Sequence, residues 1–268
     1  MRAVLFVYVW PEPGSSAAGV RTVQLARDLR AHGYDPVFLS PCRENEAAAA
    51  LRAEGFTTRA CPANDSAVEE GWRGFDPGLV VYDRFVMEEH FGWRARELWP
   101  SALHLVDTQD LHAVRRARER LQAEGRSQEE IEGLKGAQWD SDFDRELSSL
   151  YRADACLVVS SWEREWLVSR GYPEDRAFWL PFGAAPEAVV PAFSERSGFC
   201  FLGNFRHPPN LDAVRFLAEA LWPRIRARLP SSALTLYGAY PPASVSALNG
   251  QGGIVVAGPV RDHRAALG

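Results

Sequence analysis

The sequence has almost no lysine. Lys135 is the only one, so 29 of the 30 residues counted as lysine or arginine are arginine. A side-chain cation that binds phosphate in this protein is therefore an arginine, which binds through a planar fork of donors and not as a point charge. The remaining composition, with 24% charged residues and a net charge of −5, is typical of a globular protein.

Cysteine is also scarce, and long apolar runs are absent. The four cysteines lie far apart and form no C-x-x-C pair, which disfavours a zinc site or a disulfide framework and predicts a cytoplasmic protein. No stretch approaches the roughly 18 apolar residues of a membrane span. The N-terminal run MRAVLFVYVW is short and meets Pro11 and Glu12 at once, which predicts a buried first strand and not a signal peptide.

The C-terminal part of the chain is mildly basic. From Ser194 onward, eight arginines stand against four carboxylates, so this part carries +4 and the rest of the chain −9. Such an excess suits a small anionic ligand. It is too small to predict a nucleic-acid partner.

Apolar strand-like runs alternate with stretches of helical period. The first pair is a strand at Ala3–Val9 and a helix at Val20–His32, with Gly33 in the position of a helix C-cap. The region 113–152 predicts two helices, the second beginning at the capping-box spacing Ser127–Glu130. This alternation predicts an α/β protein with a doubly wound parallel sheet covered by helices on both faces.

Composition predicts two domains with a linker between them. Three prolines and four alanines between Pro181 and Ser197 are typical of a linker, which gives an N-terminal Rossmann-like domain at 1–182, a linker at 183–197 and a second domain at 198–268. The second domain supplies three predicted strands, whereas a doubly wound lobe usually has about five or six. We therefore expect an incomplete second Rossmann-like domain.

Two small-residue loops follow predicted strands, at the sheet edge where doubly wound folds bind ligands. The loop PEPGSSAAGVRT leads into a helix N-terminus but lacks the G-x-G-x-x-G spacing of a dinucleotide fingerprint. The loop LGNFRHPPN sets a glycine, backbone donors and Arg206 before a second helix, which suits a phosphate. A plain surface loop and a plain strand-turn-helix connection explain these two patterns equally well.

A third loop, VDTQDLH, carries acidic residues and a histidine after a predicted strand. His112 beside Asp107 and Asp110 can act as a general base or orient a hydroxyl group. The same three side chains can instead ligate a metal. Asp110 can also be a simple N-cap of the following helix.

Taken in order, several segments resemble the GT-B glycosyltransferases, in particular the retaining group-1 (family-4-like) branch. The resemblance covers most of the chain and rests on PEPGSSAAGVRTVQLARDLRAHGYDPVFLSP, RADACLVVSSWEREWL, FWLPFGAAP, FCFLGNFRHPPNLDAVRFLAEALWPRIRARLPSSALTLYGAYPP and GIVVAGPVRD. It implies transfer of a sugar from a nucleotide diphosphate sugar to a hydroxyl acceptor, with retention and without a metal.

The resemblance also implies roles for individual residues. It places catalytic residues near the reacting sugar at His112, Asp110 and Asp107, and an acceptor and phosphate loop at Ser16, Gly19 and Arg21. It implies donor binding by Gly203, Asn204, Arg206, Asn210 and Gly258. The branch usually pairs an arginine with a lysine at the donor phosphates. With no lysine in this part of the chain, that contact falls to Arg206 alone.

The implied partners are a nucleotide sugar of the UDP or GDP type, bound as substrate with no cofactor, and a saccharide, lipid or protein-glycan acceptor. The branch is compatible with a peripheral membrane contact and implies no nucleic acid. In this branch the acidic E-x7-E donor motif follows the segments matched here and would lie downstream of Gly268, which predicts a truncated chain with much of the donor site missing. Two alternatives stay open, a non-catalytic sugar- or nucleotide-binding module and a nucleotide-sugar epimerase of the same architecture.

Overall fold

The computed structural model describes residues 1–63, 70–72, 74–183 and 191–260. Their contacts form two compact units. The first comprises Met1–Pro11 and Arg21–Gly183, and the second comprises Glu12–Val20 and the described residues that follow Gly183. Much of the predicted linker, residues 184–190, lies outside the described residues, so the predicted domain boundaries stay a prediction.

The first unit is built on a parallel sheet. Its strands are β1 (Arg2–Phe6), β2 (Asp35–Ser40), β3 (Thr57–Ala60), β4 (Pro77–Asp83), β5 (Leu103–Asp107), β6 (Ala155–Val158) and β7 (Ala177–Trp179). They lie in the order β3-β2-β1-β4-β5-β6-β7, and every neighbouring pair is parallel. The order runs outward in both directions from β1 and β4, which is the doubly wound arrangement. The predicted fold class is confirmed.

Helices connect these strands. They are α1 (Ala17–Ala31), α2 (Glu46–Ala53), α3 (Arg84–Leu98), α4 (His112–Ala123), α5 (Gln128–Glu132), α6 (Ser141–Arg152) and α7 (Ser161–Ser169). Gly33 lies two residues beyond the end of α1 and has a φ of 84°, a left-handed conformation that glycine adopts without strain. Within the described part of the chain, no helix is long and apolar enough to cross a membrane.

The central strand β1 is buried on both faces, as its continuous apolar sequence requires. Val4 and Phe6 belong to one apolar cluster, whereas Ala3, Leu5 and Val7 belong to another. The two clusters contain side chains from different sets of helices. Because helices pack on both faces of the sheet, the carboxyl ends of its strands are held in place. The loops that follow these strands therefore start from fixed positions along one edge of the sheet.

The region 113–152 differs from the prediction in one respect. Three helices, α4, α5 and α6, replace the two expected, because α5 stops after five residues at its C-cap Gly133. The predicted capping box is confirmed. The Ser127 hydroxyl accepts a hydrogen bond from the Glu130 N–H, and the Glu130 carboxylate accepts one from the Ser127 N–H.

The second unit contains a smaller parallel sheet. Its described strands are β8 (Phe199–Leu202), β9 (Leu234–Tyr237) and β10 (Ile254–Gly258), in the order β10-β9-β8. The helices are α8 (Pro208–Phe216), α9 (Trp222–Arg228) and α10 (Ala243–Ser246). The apolar spacing of the sequence predicts a single helix over 211–229, but a π-helical segment at Leu217–Leu221 separates α8 from α9. Pro223 explains the break, because its nitrogen carries no hydrogen for the helical ladder.

Candidate functional site

The carboxyl edge of the first sheet has a topological switch point between β1 and β4. Connections leave these neighbouring strands in opposite directions, which opens the crevice where doubly wound folds bind ligands. The Tyr8 N–H, just beyond β1, donates a 3.2 Å hydrogen bond to the Asp83 carboxylate at the end of β4. Asp83 is 6% exposed, and Tyr8 is 45% exposed. A fixed carboxylate and a partly exposed tyrosine therefore lie next to each other where β1 and β4 end.

Two residues at this edge have strained backbones. Arg84, directly after β4, has a φ of 68°, and Gln109, just after β5, has a φ of 62°. Non-glycine residues in this region are uncommon, and they cluster at functional sites. Asp83 holds the Arg84 guanidinium at 3.0 and 3.1 Å, and the Gln109 amide donates to the Thr22 hydroxyl at 3.0 Å. Side-chain contacts thus retain both strained conformations.

Arg21 and Asp107, two predicted site residues, form a buried ion pair. The Arg21 Nε and Nη2 atoms donate to the Asp107 carboxylate at 2.7–3.0 Å, and Nη1 donates to the Leu180 carbonyl oxygen at 2.7 Å. Their side chains are only 3% and 2% exposed. These are the contacts of a structural ion pair, and the phosphate role of Arg21 and the catalytic role of Asp107 stay predictions.

Helix α4 begins without a cap of its own. Its N-cap residue, Leu111, has no capping side chain, and Asp110 does not cap the helix, contrary to one reading of the sequence. The buried carboxylate of Glu146 on α6 accepts from the N–H groups of His112 and Ala113 at 3.0 and 2.9 Å. Glu163 on α7 accepts from the Leu111 N–H at 2.9 Å. Two distant glutamates therefore fix the turn that presents His112.

The His112 side chain is mostly buried, 13% exposed, at the same sheet edge. Its Nε2 atom lies 3.3 Å from the Asp110 carboxylate, and its ring meets Phe85 edge-on. Burial lowers the pKa of His112 to about 4. Arg115 holds Asp110 from the other side at 2.6 Å. A neutral imidazole suits a hydrogen bond to a hydroxyl group better than proton abstraction at neutral pH, although the role of His112 stays a prediction.

Ser16 and Gly19, from the first loop, lie in the segment that groups with the second unit. The Ser16 hydroxyl accepts a 3.0 Å hydrogen bond from the Gly19 N–H and so caps helix α1. A Cβ atom at position 19 would lie 2.6 Å from the Glu12 carbonyl oxygen, which excludes larger residues. The local contacts of both residues are those of a tight helix entry.

The predicted donor residues of the second unit meet at the carboxyl edge of its sheet. The Asn204 side-chain oxygen accepts from the Arg206 N–H at 2.9 Å, and the Asn210 amide donates to the Asn204 carbonyl at 2.9 Å. Within the same unit, the Asn204 amide lies 3.3 Å from both oxygens of Ser15. These contacts fix the loop between β8 and α8.

The ends of the three strands in this unit are joined by backbone contacts. The Gly203 N–H donates to the Tyr237 carbonyl at 3.1 Å, and the Gly238 N–H donates to the Gly258 carbonyl at 2.8 Å. A Cβ atom on Gly238 would overlap the Gly203 carbonyl oxygen. Glycine at 238 is therefore required for the two loops to approach, and Gly203, Gly258 and Arg206 belong to one edge.

At this edge, the Arg206 side chain lies against an aromatic ring. Its guanidinium lies 3.5 Å from the centroid of the Tyr240 ring. Tyr240 is 50% exposed and has a φ of 60°. Among the described residues, no carboxylate pairs with Arg206. The arrangement leaves an exposed, uncompensated cation that can bind an anion through a bidentate contact.

Sequence patterns missed several of these residues. Asp83 and Arg84 directly follow the apolar run 79–82, which predicts a strand, and that position was the available signal. Tyr240 also follows a strand, but only the fold shows that its ring meets Arg206. Over the residues that the structure describes, no group of three or more histidine, cysteine, aspartate or glutamate side chains could hold a metal ion.

No protein-family model and no curated protein matches the sequence. Solved structures do match the fold. Sucrose-phosphate synthase from Thermosynechococcus elongatus aligns with a TM-score of 0.61 and 16% identity, over 99% of this chain and 72% of that one. A glycosyltransferase from Rickettsia africae aligns with a TM-score of 0.58 and 12% identity, over 96% and 68% of the two chains.

An epimerase structure matches to a similar degree. The UDP-GlcNAc 2-epimerase from Methanocaldococcus jannaschii aligns with a TM-score of 0.54 and 10% identity, over 97% of this chain and 74% of that one. At such identities a likeness shows the fold and leaves the activity open. The chain has the α/β architecture of the GT-B glycosyltransferases, with two Rossmann-like units.

Proposed function

We propose that the protein is a glycosyltransferase that moves a sugar from a nucleotide diphosphate sugar to a hydroxyl acceptor. The observation that carries this proposal is the Arg206 site. An uncompensated arginine at a sheet edge, beside glycine-rich strand ends, has the chemistry that a diphosphate requires. Similarity to a named glycosyltransferase and to a UDP-sugar epimerase supports a nucleotide-sugar donor.

The proposed reaction proceeds with retention and without a metal, as the group-1 resemblance implies. Arg206 stabilises the negative charge that develops on the departing diphosphate. The leaving phosphate accepts the proton of the acceptor hydroxyl. A donor of the UDP type is favoured over one of the GDP type, because the epimerase of similar fold is named for a UDP sugar.

We place the sugar-contacting role on the first unit at His112. Its neutral imidazole can accept or donate a hydrogen bond to a sugar or acceptor hydroxyl, and the capped helix turn holds the ring in place. Asp110 orients the imidazole from 3.3 Å. Asp107 is the last residue of β5, directly before this loop, and its ion pair with Arg21 stabilises the start of the loop. In this proposal it makes no direct contact with substrate.

Arg206→Ala is expected to weaken binding of a nucleoside diphosphate about tenfold or more, because a charge-assisted contact to phosphate is lost. Titration of UDP, GDP and ADP into the wild type and the variant measures this effect. Arg215→Ala is the matched control, since Arg215 lies on α8 of the same unit and already pairs with Asp212. Equal weakening by both variants, or no binding to the wild type, would contradict the proposed donor site.

His112→Ala is expected to reduce the rate of transfer about 100-fold while UDP binding changes little, because its contact is to a hydroxyl and not to the diphosphate. His90→Ala is the control, as His90 lies on α3, away from the sheet edge. Transfer is followed as UDP release that depends on an added acceptor. Loss of folding in His112→Ala, detected by circular dichroism, would instead assign the side chain to packing.

An epimerase is the second candidate, since proteins named UDP-GlcNAc 2-epimerase share the fold. Incubation with UDP-GlcNAc and UDP-glucose, with and without a panel of saccharide and lipid acceptors, separates the possibilities. Acceptor-dependent UDP release supports transfer, and an isomerised sugar nucleotide in the absence of acceptor supports epimerisation. UDP binding with neither reaction supports a non-catalytic binding module.

A further inference from the structure

We infer that Tyr240 is a positioning residue that holds Arg206 ready for the donor diphosphate, an inference that rests on the proposed function. The Tyr240 ring centroid lies 3.5 Å from the Arg206 guanidinium carbon. At that distance the planar guanidinium stacks on the ring face, which is the geometry of a cation–π contact.

The stack restrains Arg206 without occupying its donors. The described residues offer the Arg206 side chain no hydrogen-bond acceptor and no carboxylate, so all five N–H groups remain directed to solvent or ligand. Arg84 provides the contrast within the same chain, because it lies 5.1 Å from the centroid of the Tyr8 ring but has a carboxylate partner as well. Two of its nitrogen atoms donate to Asp83 at 3.0 and 3.1 Å, and the carboxylate neutralises its charge. Both kinds of partner restrain an arginine side chain. A carboxylate partner also neutralises its charge, whereas an aromatic partner leaves the charge available to bind an anion.

The strained backbone conformation of Tyr240 indicates that surrounding contacts hold its ring in position. A φ of 60° is costly for an aromatic residue, and such strain persists only where surrounding contacts retain it. The Phe205 N–H donates to the Ala239 carbonyl at 3.0 Å, which ties the Tyr240 loop to the Arg206 loop. Gly238 allows the close approach of the two loops. The ring and the guanidinium are thus brought together by contacts on both sides of the stack.

An unrestrained surface arginine loses rotamer freedom when it binds a ligand. Stacking on Tyr240 removes much of that freedom beforehand, so part of the ordering precedes binding. The effect acts through Arg206 alone. It therefore predicts that substitutions at Tyr240 matter only when Arg206 is present.

The test is a double-mutant cycle on binding of UDP and of inorganic pyrophosphate, measured by calorimetric titration at constant salt. Tyr240→Leu keeps an apolar side chain but removes the ring face, and it should weaken both ligands about two- to fivefold. Tyr240→Phe keeps the face and should bind like the wild type. Arg206→Ala combined with Tyr240→Leu should bind no more weakly than Arg206→Ala alone.

The outcomes separate this inference from the proposed function. Wild-type protein that binds neither ligand overturns both. Wild-type binding that Tyr240→Leu leaves unchanged overturns the inference alone. Further weakening of UDP by Tyr240→Leu in the Arg206→Ala background shows that the ring contacts the nucleotide itself, which also overturns it. If Tyr240→Phe binds the ligands as weakly as Tyr240→Leu does, the effect belongs to the hydroxyl group and not to the ring face. That result also overturns the inference.

Discussion

Asp107→Ala should lower the free energy of unfolding of the first unit by about 3–5 kcal/mol, the usual cost of removing one partner from a buried ion pair. The Arg21 guanidinium would remain buried and charged, with only the Leu180 and Pro181 carbonyls to accept from it. Urea denaturation followed by tryptophan fluorescence measures the loss. Asp28→Ala is a suitable control, because Asp28 is an exposed acidic residue on α1.

The double variant Arg21→Leu with Asp107→Leu should recover much of this stability, because it leaves no unpaired charge behind. This pair of measurements separates a structural pair from a catalytic one. If Asp107 acts on substrate, Asp107→Ala abolishes transfer with little change in unfolding. If it supports the loop, stability falls first, and the double variant retains measurable transfer.

The second large effect is a pH dependence with opposite signs at Glu146 and His112. Burial raises the pKa of Glu146 to about 7, so between pH 4.5 and 7 the folded protein holds a proton that the unfolded chain releases. Its contribution to stability is present at low pH and is lost as the pH rises through 7. Glu146→Gln removes this titration. The difference in unfolding free energy, variant minus wild type, should rise by about 3 kcal/mol from pH 4.5 to pH 8.

At His112 the sign is reversed. Burial lowers its pKa to about 4, so below pH 6.5 the unfolded chain takes up a proton that the folded protein excludes. Its contribution to stability is lost as the pH falls from 6.5 to 4. For His112→Asn, the same difference should rise by about 3 kcal/mol from pH 7 to pH 4. Parallel curves for both variants and the wild type, measured by urea denaturation across the range, would contradict both assignments.

The fold was accessible from sequence because it depends on local signals that repeat. Apolar runs marked the strands, helical period marked the connections, and Gly33 and the Ser127–Glu130 box marked helix ends correctly. The errors have local causes that pattern reading underestimates. Gly133 ended a five-residue helix, and Pro223 diverted a long helix through a π-helical segment.

The site was only partly accessible, because it depends on contacts between distant parts of the chain. Strand ends located the loops of His112 and Arg206 correctly at the carboxyl edges of the two sheets. The sequence could not show that Arg21 and Asp107, 86 positions apart, face each other in a dry environment. Nor could it show that Tyr240 meets Arg206, since a ring stacked on a distant arginine leaves no spacing pattern.

The N-terminus of helix α4 is capped by side chains of two other helices, which bears on the order in which the chain folds. Its first N–H groups are satisfied by glutamates 34 and 52 positions away. An isolated helix of this length is marginal in water even with a local cap. We therefore expect α4 to become stable only once α6 and α7 have docked, so that the turn bearing His112 is ordered late, after most of the chain of the first unit has been synthesised.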